Sequence, residues 1–383
     1  MHPIPHADLA LDPLPLRIAA HNGAPEWGGA EIAVSRLLVG LHERGHQIRF
    51  FCGRSLVEEQ AAAYGLSTTM LPVGGDAAVH HGLRVARALR AFRADVLVVG
   101  TFRKLLHLCI GARLARVPVV ARIGLSTDLP RNAKYRWLFR HWVDRIVVNA
   151  EDVRAAYLAA LPGLSPERIA TIPKGFPTPP PRDREGARAL FGLGPDDVAI
   201  GGLARLVEQK RLDRFVEVLA AAPPGVTGLL AGDGPLRDHL ASAAAGAGGR
   251  VRLLGQLADP ADFLAALDLL LITSDRESLA NAMLEALAAG VPVVSTPVSG
   301  AMEALSPDEG EDPPGVVTED FSVPALAEAV RKLVSDRELR LRMSRAAAVR
   351  AQARYQPGAM LDRWEEVLTR VALNRRSEPP PAH

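Results

Sequence analysis

The sequence predicts an α/β protein with two Rossmann-like domains that face each other across a cleft. Short apolar segments rich in Val, Leu and Ile alternate with helical patterns along the whole chain. Continuous apolar strands separated by helices are typical of parallel sheets that are covered on both faces. The segment 172–181, IPKGFPTPPP, interrupts the series with five prolines in ten residues and reads as an extended interdomain linker. A ligand of such a protein is expected at the carboxyl ends of the strands.

The domain organisation follows from these segments. We predict a flexible extension at 1–14, a first domain at 15–177, a second domain at 178–355, a final helix at 356–375 and a disordered tail at 376–383. Strands are predicted in the first domain at 16–21, 47–52, 69–73, 95–100, 118–123 and 145–149, and in the second at 198–203, 228–231, 251–254, 267–273, 291–295 and 315–318.

The composition excludes several classes of protein. A chain of 383 residues is too long for one ordinary core, which favours two domains. The net charge of +2 excludes a global nucleic-acid footprint. The cysteines Cys52 and Cys109 are too few for a disulfide framework and fit a reducing cytosol. The first 14 residues lack the basic and long apolar regions of a secretory signal, so we expect a cytoplasmic protein.

The stretch 274–296, SDRESLANAMLEALAAGVPVVST, carries the strongest functional signal. It leaves an apolar strand, crosses a polar loop and enters a helix that Asn281 or Ser278 is predicted to cap, with Gly290 at the left-handed position that ends it. Glu277 precedes this helix and Glu285 lies inside it. A helix N-terminus suits a phosphate, and the carboxylates can accept hydrogen bonds from sugar hydroxyls. The alternative is one acid that stabilises the helix dipole and one that is merely solvated.

Two cations follow the first strand of the second domain. Arg205 and Lys210 flank the turn before the next helix, where both can contact a diphosphate at the carboxyl end of the strand. Ordinary surface salt bridges are the alternative interpretation. The segment 232–235, GDGP, follows the next strand, and Gly232 is predicted to form a tight turn beneath one edge of the ligand.

Paired glycines follow the first strand of the first domain. Gly28 and Gly29 stand directly before a helix and allow close approach of the backbone to a phosphate. The alternative is a tight turn that requires positive φ. Further along, Arg103 and Lys104 lie just past the fourth strand, where they are predicted to face the crevice.

Trp137 lies between Arg136 and Arg140 on the side of its helix opposite the apolar face. An aromatic residue flanked by arginines can contact an anionic membrane surface or a sugar. An exposed tryptophan on an ordinary packed helix is the alternative interpretation.

Four motifs occur in register along the chain: GGAE at 28–31, the pair Arg205 and Lys210, GDGP at 232–235, and two glutamates eight positions apart. In this combination the chain resembles the retaining family 4 glycosyltransferases, which have the GT-B fold, over essentially residues 16–370. The resemblance implies transfer of a sugar from a nucleotide sugar with retention of anomeric configuration. It implies neither a required metal nor a bound cofactor. It also implies that the final helix crosses back to the first domain.

The resemblance assigns roles to individual residues. Arg205 and Lys210 would neutralise the leaving diphosphate, Glu277 would contact hydroxyls of the donor sugar, and Glu285 would contact those of the ribose. The nucleotide base would lie near 254–256. The other implied donor-binding residues are Gly28, Gly29, Gly232, Leu254, Gly255, Gln256, Leu279, Ala280 and Asn281.

The chain also departs from that family. Lys174, Gly175, Phe176 and Pro177 stand where members often carry Asn-Gly-Val-Asp, and Ser299 stands where glycine is common. The sequence ARIG at 121–124 occupies the place where many members have a histidine near the reacting sugar. Within it, Arg122 is predicted to face the acceptor.

The sequence therefore predicts a retaining glycosyltransferase with a nucleotide sugar as donor and a glycan or lipid-linked glycan as acceptor. A function in polysaccharide or lipopolysaccharide synthesis and a peripheral position at the inner face of the cell membrane are expected; nucleic acid is not an expected partner. A nucleotide-sugar epimerase of the same fold and a non-catalytic nucleotide-sugar-binding protein are the alternatives. Donor turnover measured with and without acceptor distinguishes all three.

Overall fold

The computed structural model describes residues 15–24, 27–74, 80–100, 104–125, 129–130 and 132–377. These residues form two parallel sheets with helices on both faces, which confirms the predicted fold class. Residues 172–183 have neither helix nor strand and connect the sheets. The predicted extension at 1–14 and residues 378–383 of the predicted tail lie outside the described residues.

The first sheet contains seven parallel strands within the described residues, in the order β3-β2-β1-β4-β5-β6-β7. Its strands are β1 (Arg17–Asn22), β2 (Gln47–Cys52), β3 (Thr68–Met70), β4 (Val96–Val99), β5 (Val119–Ile123), β6 (Arg145–Val148) and β7 (Ile169–Thr171). Its helices are α1 (Gly29–Glu43), α2 (Ser55–Ala63), α3 (His80–Phe92), α4 (Leu105–Ala115), α5 (Ala133–His141) and α6 (Glu151–Ala160).

The second sheet contains six parallel strands in the described part of the chain, in the order β10-β9-β8-β11-β12-β13. Its strands are β8 (Val198–Leu203), β9 (Val226–Ala231), β10 (Val251–Gly255), β11 (Leu269–Ile272), β12 (Val293–Ser295) and β13 (Gly315–Val317). Its helices are α7 (Arg184–Leu190), α8 (Leu212–Ala220), α9 (Arg237–Gly246), α10 (Ala261–Ala266), α11 (Asn281–Ala288), α12 (Ala301–Leu305), α13 (Val323–Ser335) and α14 (Arg337–Arg354).

The final helix, α15 (Pro357–Ser377), returns to the first domain. Trp364 and Leu368 are buried among core residues of the first sheet and α1. Glu365 accepts a hydrogen bond from the guanidinium of Arg44 and lies 3.0 Å from Nε2 of His46. The chain therefore crosses between the domains twice, and the helix that crosses back was correctly predicted.

Each predicted strand overlaps an observed one. Strand β7, of three residues, was not predicted, because its sequence Ile-Ala-Thr is too short to show an apolar run. Within the described ranges, no helix has the length and apolar character needed to cross a bilayer. The exact domain boundaries stay predictions.

Candidate active site

Lys210 and Glu277 are joined by an ion pair at the carboxyl edge of the second sheet. Lys210 ends a short 3₁₀ turn after β8, and Glu277 lies in the loop after β11, which is the neighbour of β8 in the sheet. The Ser274 hydroxyl donates to the same Glu277 oxygen at 3.0 Å, and the Thr273 hydroxyl donates to the backbone oxygen of Lys210 at 2.9 Å. Parallel strands thus bring together two residues that are 67 positions apart.

Arg205 lies exposed in the turn between β8 and Lys210. The GDGP segment supports this turn, because the backbone N–H of Leu206 donates to the oxygen of Asp233 at 2.9 Å. Gly232 has a φ of +136°, and a Cβ atom placed on it would lie 1.8 Å from the backbone oxygen of Ala204. Only glycine allows the two turns to pack this closely. The GDGP segment therefore fixes the backbone that carries Arg205.

The residues predicted near the nucleotide base, Leu254, Gly255 and Gln256, lie at the end of the edge strand β10. Gly255 has a φ of +74°, and the register of β10 shifts there. Its oxygen accepts a hydrogen bond from the N–H of Gly232 at 2.8 Å. The predicted base site is therefore joined to the GDGP turn through the backbone.

The loop before α11 differs from the prediction. Ala280 is the N-cap of α11, and neither Asn281 nor Ser278 caps the helix. Both polar side chains instead make contacts across the cleft: Asn281 Nδ2 donates to the backbone oxygen of Gly29 at 3.1 Å, and Ser278 Oγ accepts from Asn149 at 2.9 Å. The predicted end of the helix is confirmed, since Gly290 has a φ of +71°.

Gly28 and Gly29 allow close approach to the backbone and do not form a turn of positive φ. Gly28 is the N-cap of α1 with an extended backbone, φ −159°, so the alternative interpretation of a positive-φ turn is wrong. Its N–H donates to Glu31 Oε2 at 3.1 Å. A Cβ atom on Gly29 would lie 3.0 Å from Nδ2 of Asn281. The second glycine therefore lets the loop before α11 reach the backbone of the first domain.

Lys174, which in sequence is only a departure from the family pattern, lies in the cleft. Its ammonium donates to the backbone oxygen of Leu279 at 2.6 Å and to Asn281 Oδ1 at 2.8 Å. Burial, and then the nearby Arg122 guanidinium, lower the pKa of Lys174 to about 7. Its position near the start of the proline-rich linker, directly after the strand series of the first domain, was the available signal. Leu279 and Ala280, predicted to bind the donor, are buried beside it.

Two arginines of the first domain face the same region. Burial lowers the pKa of Arg122 to about 10, and attraction by Glu31 opposes this shift. Arg36 Nη1 lies 3.8 Å from Oε1 of Glu285, across the cleft. Burial raises the pKa of Glu285, and the positive charge of Arg36 opposes this shift. Arg122 thus lies near Lys174 and Glu31 of the GGAE segment, and its predicted role toward the acceptor stays a prediction.

The remaining predicted positions are separate from this group. Lys104 Nζ donates to the backbone oxygen of Gly74 at 3.4 Å, in the first domain. Arg103 lies outside the described residues. Trp137 is 47% exposed on α5, while Leu138 and Phe139 are buried, as the helical pattern predicts. Within the described ranges, no group of three or more acidic, His or Cys side chains is placed to hold a metal ion.

Comparisons with known proteins agree with this geometry. The family model described as Glycosyltransferase Family 4 matches residues 27–178, and the model described as Glycosyl transferases group 1 matches residues 184–350. A relative in Rhizobium meliloti (strain 1021), the lipopolysaccharide core biosynthesis glycosyltransferase LpsE, is 32% identical over 183 residues, which are 47% of this chain and 52% of the relative. The chain therefore spans about half the length of that relative.

A second relative is similar over nearly its full length. The lipopolysaccharide core biosynthesis glycosyltransferase LpsD of the same organism is 27% identical over 369 residues, covering 91% of this chain and 97% of the relative. Among solved structures, Anabaena Alr3699/HepE in complex with UDP and glucose superposes with a TM-score of 0.78 at 22% identity, covering 92% of this chain and 99% of that one. Glycosyltransferase models that match both halves, together with this shared two-domain fold, show that the chain belongs to the glycosyltransferases of the GT-B type.

Proposed function

We propose that the chain moves a sugar from a nucleotide-sugar donor to a glycan or lipid-linked glycan acceptor, with retention of anomeric configuration. The ion pair between Lys210 and Glu277 carries this proposal, because it places a cation and a carboxylate together at the carboxyl edge of the second sheet. The loop that follows Glu277 contacts Gly29 of the first domain. The similarity to lipopolysaccharide core glycosyltransferases supports an acceptor in cell-surface polysaccharide or lipopolysaccharide synthesis.

The proposed chemistry needs positive charge at the leaving group. Cleavage of the bond between sugar and diphosphate develops negative charge on the phosphate and positive character on the sugar. Arg205 and Lys210 would stabilise the negative charge on the phosphate. Preorganised charges of this kind make the largest contribution to the rate enhancement of many enzymes. Glu277 would orient Lys210 and accept hydrogen bonds from donor hydroxyls. The acceptor hydroxyl would attack from the face that the diphosphate leaves, and its proton would pass to the departing phosphate.

The other contacts extend the proposal along the donor. Glu285 would accept hydrogen bonds from the ribose, and the backbone at 254–256 would lie against the base. No metal and no bound cofactor are part of this proposal, and nucleic acid is not a proposed partner. An anionic membrane surface at the cytoplasmic side, contacted through exposed Trp137 and its neighbouring arginines, is proposed as the place where a lipid-linked acceptor is met.

Donor binding and turnover test the proposal in sequence. The melting temperature is measured first with UDP, GDP and ADP, and then with the sugar nucleotides of the base that stabilises the protein, because selective binding raises it by mass action. Turnover of that donor is then measured with and without the glycolipid fraction of the host cell. Sugar incorporation that requires the glycolipid supports a transferase. An altered sugar released without acceptor would indicate an epimerase, and binding without turnover would indicate a non-catalytic protein.

A further inference from the structure

A second group of basic side chains lies in the first domain, away from the ion pair of Lys210 and Glu277. We define the histidine cluster as His21, His80, His81, His107 and Lys104. The ring centroids of His80 and His81 are 4.3 Å apart, and those of His81 and His107 are 5.6 Å apart. Lys104 acts electrostatically on both His21 and His81. Three elements, the end of β1, the start of α3 and the start of α4, therefore bring five basic residues together.

His21 places the cluster at the carboxyl edge of the first sheet. It is the residue before the last of β1, which pairs with β2 and β4 inside the sheet. In proteins of this architecture, ligands bind beyond that edge. Because the second domain holds the proposed donor residues at its own strand ends, this edge of the first domain is the one available to the acceptor.

The charges in the cluster are of one sign. In the described part of the chain, the charged groups that act on His81 are His80, His107, Arg84 and Lys104, all of them basic. Burial, followed by these neighbours, lowers the pKa of His81. Asp76 and Arg103 are close in sequence but lie outside the described residues. Basic groups held together, with no acidic group acting on His81 among the described residues, favour the binding of an anion.

Two ring nitrogens of the cluster, one on His21 and one on His81, are buried without a hydrogen-bond partner in the described part of the chain. His21 is 1% exposed, and its Nε2 lies 3.3 Å from the oxygen of Leu71, which identifies Nε2 as the donor. Its Nδ1 is buried and has no hydrogen-bond partner among the described residues, and the same holds for Nδ1 of His81. Buried polar atoms are normally paired. A phosphate group can pair with such a nitrogen in either protonation state, since P–OH donates to a neutral ring and P–O⁻ accepts from a protonated one.

We propose that the histidine cluster binds a phosphoryl group carried by the acceptor. This inference rests on the proposed function, because it assigns the carboxyl edge of the first sheet to the acceptor and names its chemical class. Lys104 supplies the permanent charge, and His80 and His81 add charge when the phosphate is bound. A phosphorylated glycan and free phosphate share this chemistry, so the test compares the two sources.

The test titrates inorganic phosphate, glycerol 3-phosphate and neutral glycerol into Lys210→Met protein, in which one of the two proposed donor-side cations is absent. The C2–H proton resonances of the histidines are followed by NMR and assigned with His80→Gln and His81→Gln. We expect saturable shifts of the His80 and His81 resonances with both phosphates and none with glycerol. Lys104→Met should weaken this binding roughly tenfold, which corresponds to about 1.4 kcal/mol. Exposed His239 of α9 is the internal control, and Lys332→Met, on α13, is the matched control variant.

Three results would overturn the inference: no saturable shift in the cluster, equal shifts at His239, or binding of inorganic phosphate with exclusion of glycerol 3-phosphate. Melting temperatures of all variants verify that they fold. The donor assignment is tested separately by the melting-temperature response to UDP, GDP and ADP. A nucleotide response without phosphate binding at the cluster overturns only the acceptor inference, whereas phosphate binding there without a nucleotide response overturns only the donor assignment.

Discussion

The two sides of the cleft are built in different ways. On the second-domain side, turns that follow neighbouring strands are joined through their backbones, as Leu206 is to Asp233 and Gly232 to Gly255. On the first-domain side, the histidine cluster consists of side chains from β1, α3 and the start of α4, and the rings of His80, His81 and His107 lie near one another. A site fixed by backbone contacts is preorganised for charge stabilisation, which suits the step in which a diphosphate leaves. Side chains can change with little effect on the fold, which suits recognition of a particular acceptor.

The largest effect is expected from loss of Lys210, one of the two proposed donor-side cations. Lys210→Met should lower turnover by about 10²–10³-fold, the scale observed when one charge-stabilising donor is removed. The measurement is kcat with the nucleotide sugar that stabilises the protein. Lys332→Met removes an exposed lysine from α13 and should leave kcat unchanged. Wild-type turnover in the Lys210 variant would show that Lys210 does not supply catalytic charge to the leaving group.

Loss of the paired carboxylate separates binding from turnover. Glu277→Gln removes the negative charge beside Lys210, so the ammonium is free to attract phosphate more strongly. We expect nucleoside diphosphate affinity to stay equal or rise, while sugar transfer falls by about 10²-fold because the group proposed to contact the donor sugar is altered. Calorimetric titration and kcat measure the two quantities. A parallel loss of both would indicate that Glu277 acts only by keeping the loop folded.

The next effect in size is expected from a substitution in the backbone turn that supports Arg205. Gly232→Ala adds a Cβ atom 1.8 Å from the oxygen of Ala204 at a φ of +136°, so the turn must move. We expect the free energy of unfolding to fall by about 2–4 kcal/mol, the range for strained backbone and steric overlap. Gly246→Ala is the control, because its added atom meets nothing within 4 Å. Chemical denaturation compares the two, and equal stability would contradict the proposed packing of the turns.

The same contrast explains what the sequence could reveal. The positions of Lys210 and Glu277 at one edge of the sheet could be predicted from the sequence, because parallel strands bring the turns at their carboxyl ends to one edge. The cap of α11 could not be predicted. Asn281 and Ser278 fit the capping pattern, but their side chains form hydrogen bonds with residues of the first domain. Local patterns contain no information about contacts across domains. For that reason the cleft position of Lys174, and the convergence of histidines from β1, α3 and α4, emerge only from the fold.

Lys174 gives a prediction with a defined pH dependence. Its pKa is lowered to about 7, so between pH 7 and its ordinary value of 10.5 the unfolded chain binds more protons than the folded one. Stability should therefore rise with pH in this window, by at most about 1.4 kcal/mol per pH unit. Lys174→Met removes the titrating group and should flatten that rise. Urea denaturation at pH 7, 8 and 9 measures it, with Lys332→Met as the exposed control; a rise that survives in Lys174→Met would contradict burial of the ammonium.

The smallest effect is expected from Arg36, the first-domain partner of Glu285. The two side chains are 42% and 21% exposed and 3.8 Å apart, and pairs of this kind contribute about 1 kcal/mol or less. Arg36→Gln should therefore change the donor KM by about threefold or less, which is the fold-change for roughly 0.7 kcal/mol. Arg36→Lys, which keeps the charge, should stay closer still to the wild type.

This small effect sharpens the comparison between the two sides of the cleft. If the second domain fixes the donor by itself, Arg36→Gln should leave donor binding nearly unchanged. Lys210→Met, in contrast, should lower turnover strongly. Arg36 also lies 5.1 Å from the ring centroid of buried Phe176, at the interdomain linker. A loss of more than tenfold in KM for Arg36→Gln that Arg36→Lys restores would therefore mean that charge from the first domain completes the donor site. The donor site would then depend on side chains of both domains, whereas the histidine cluster on the acceptor side lies within the first domain alone.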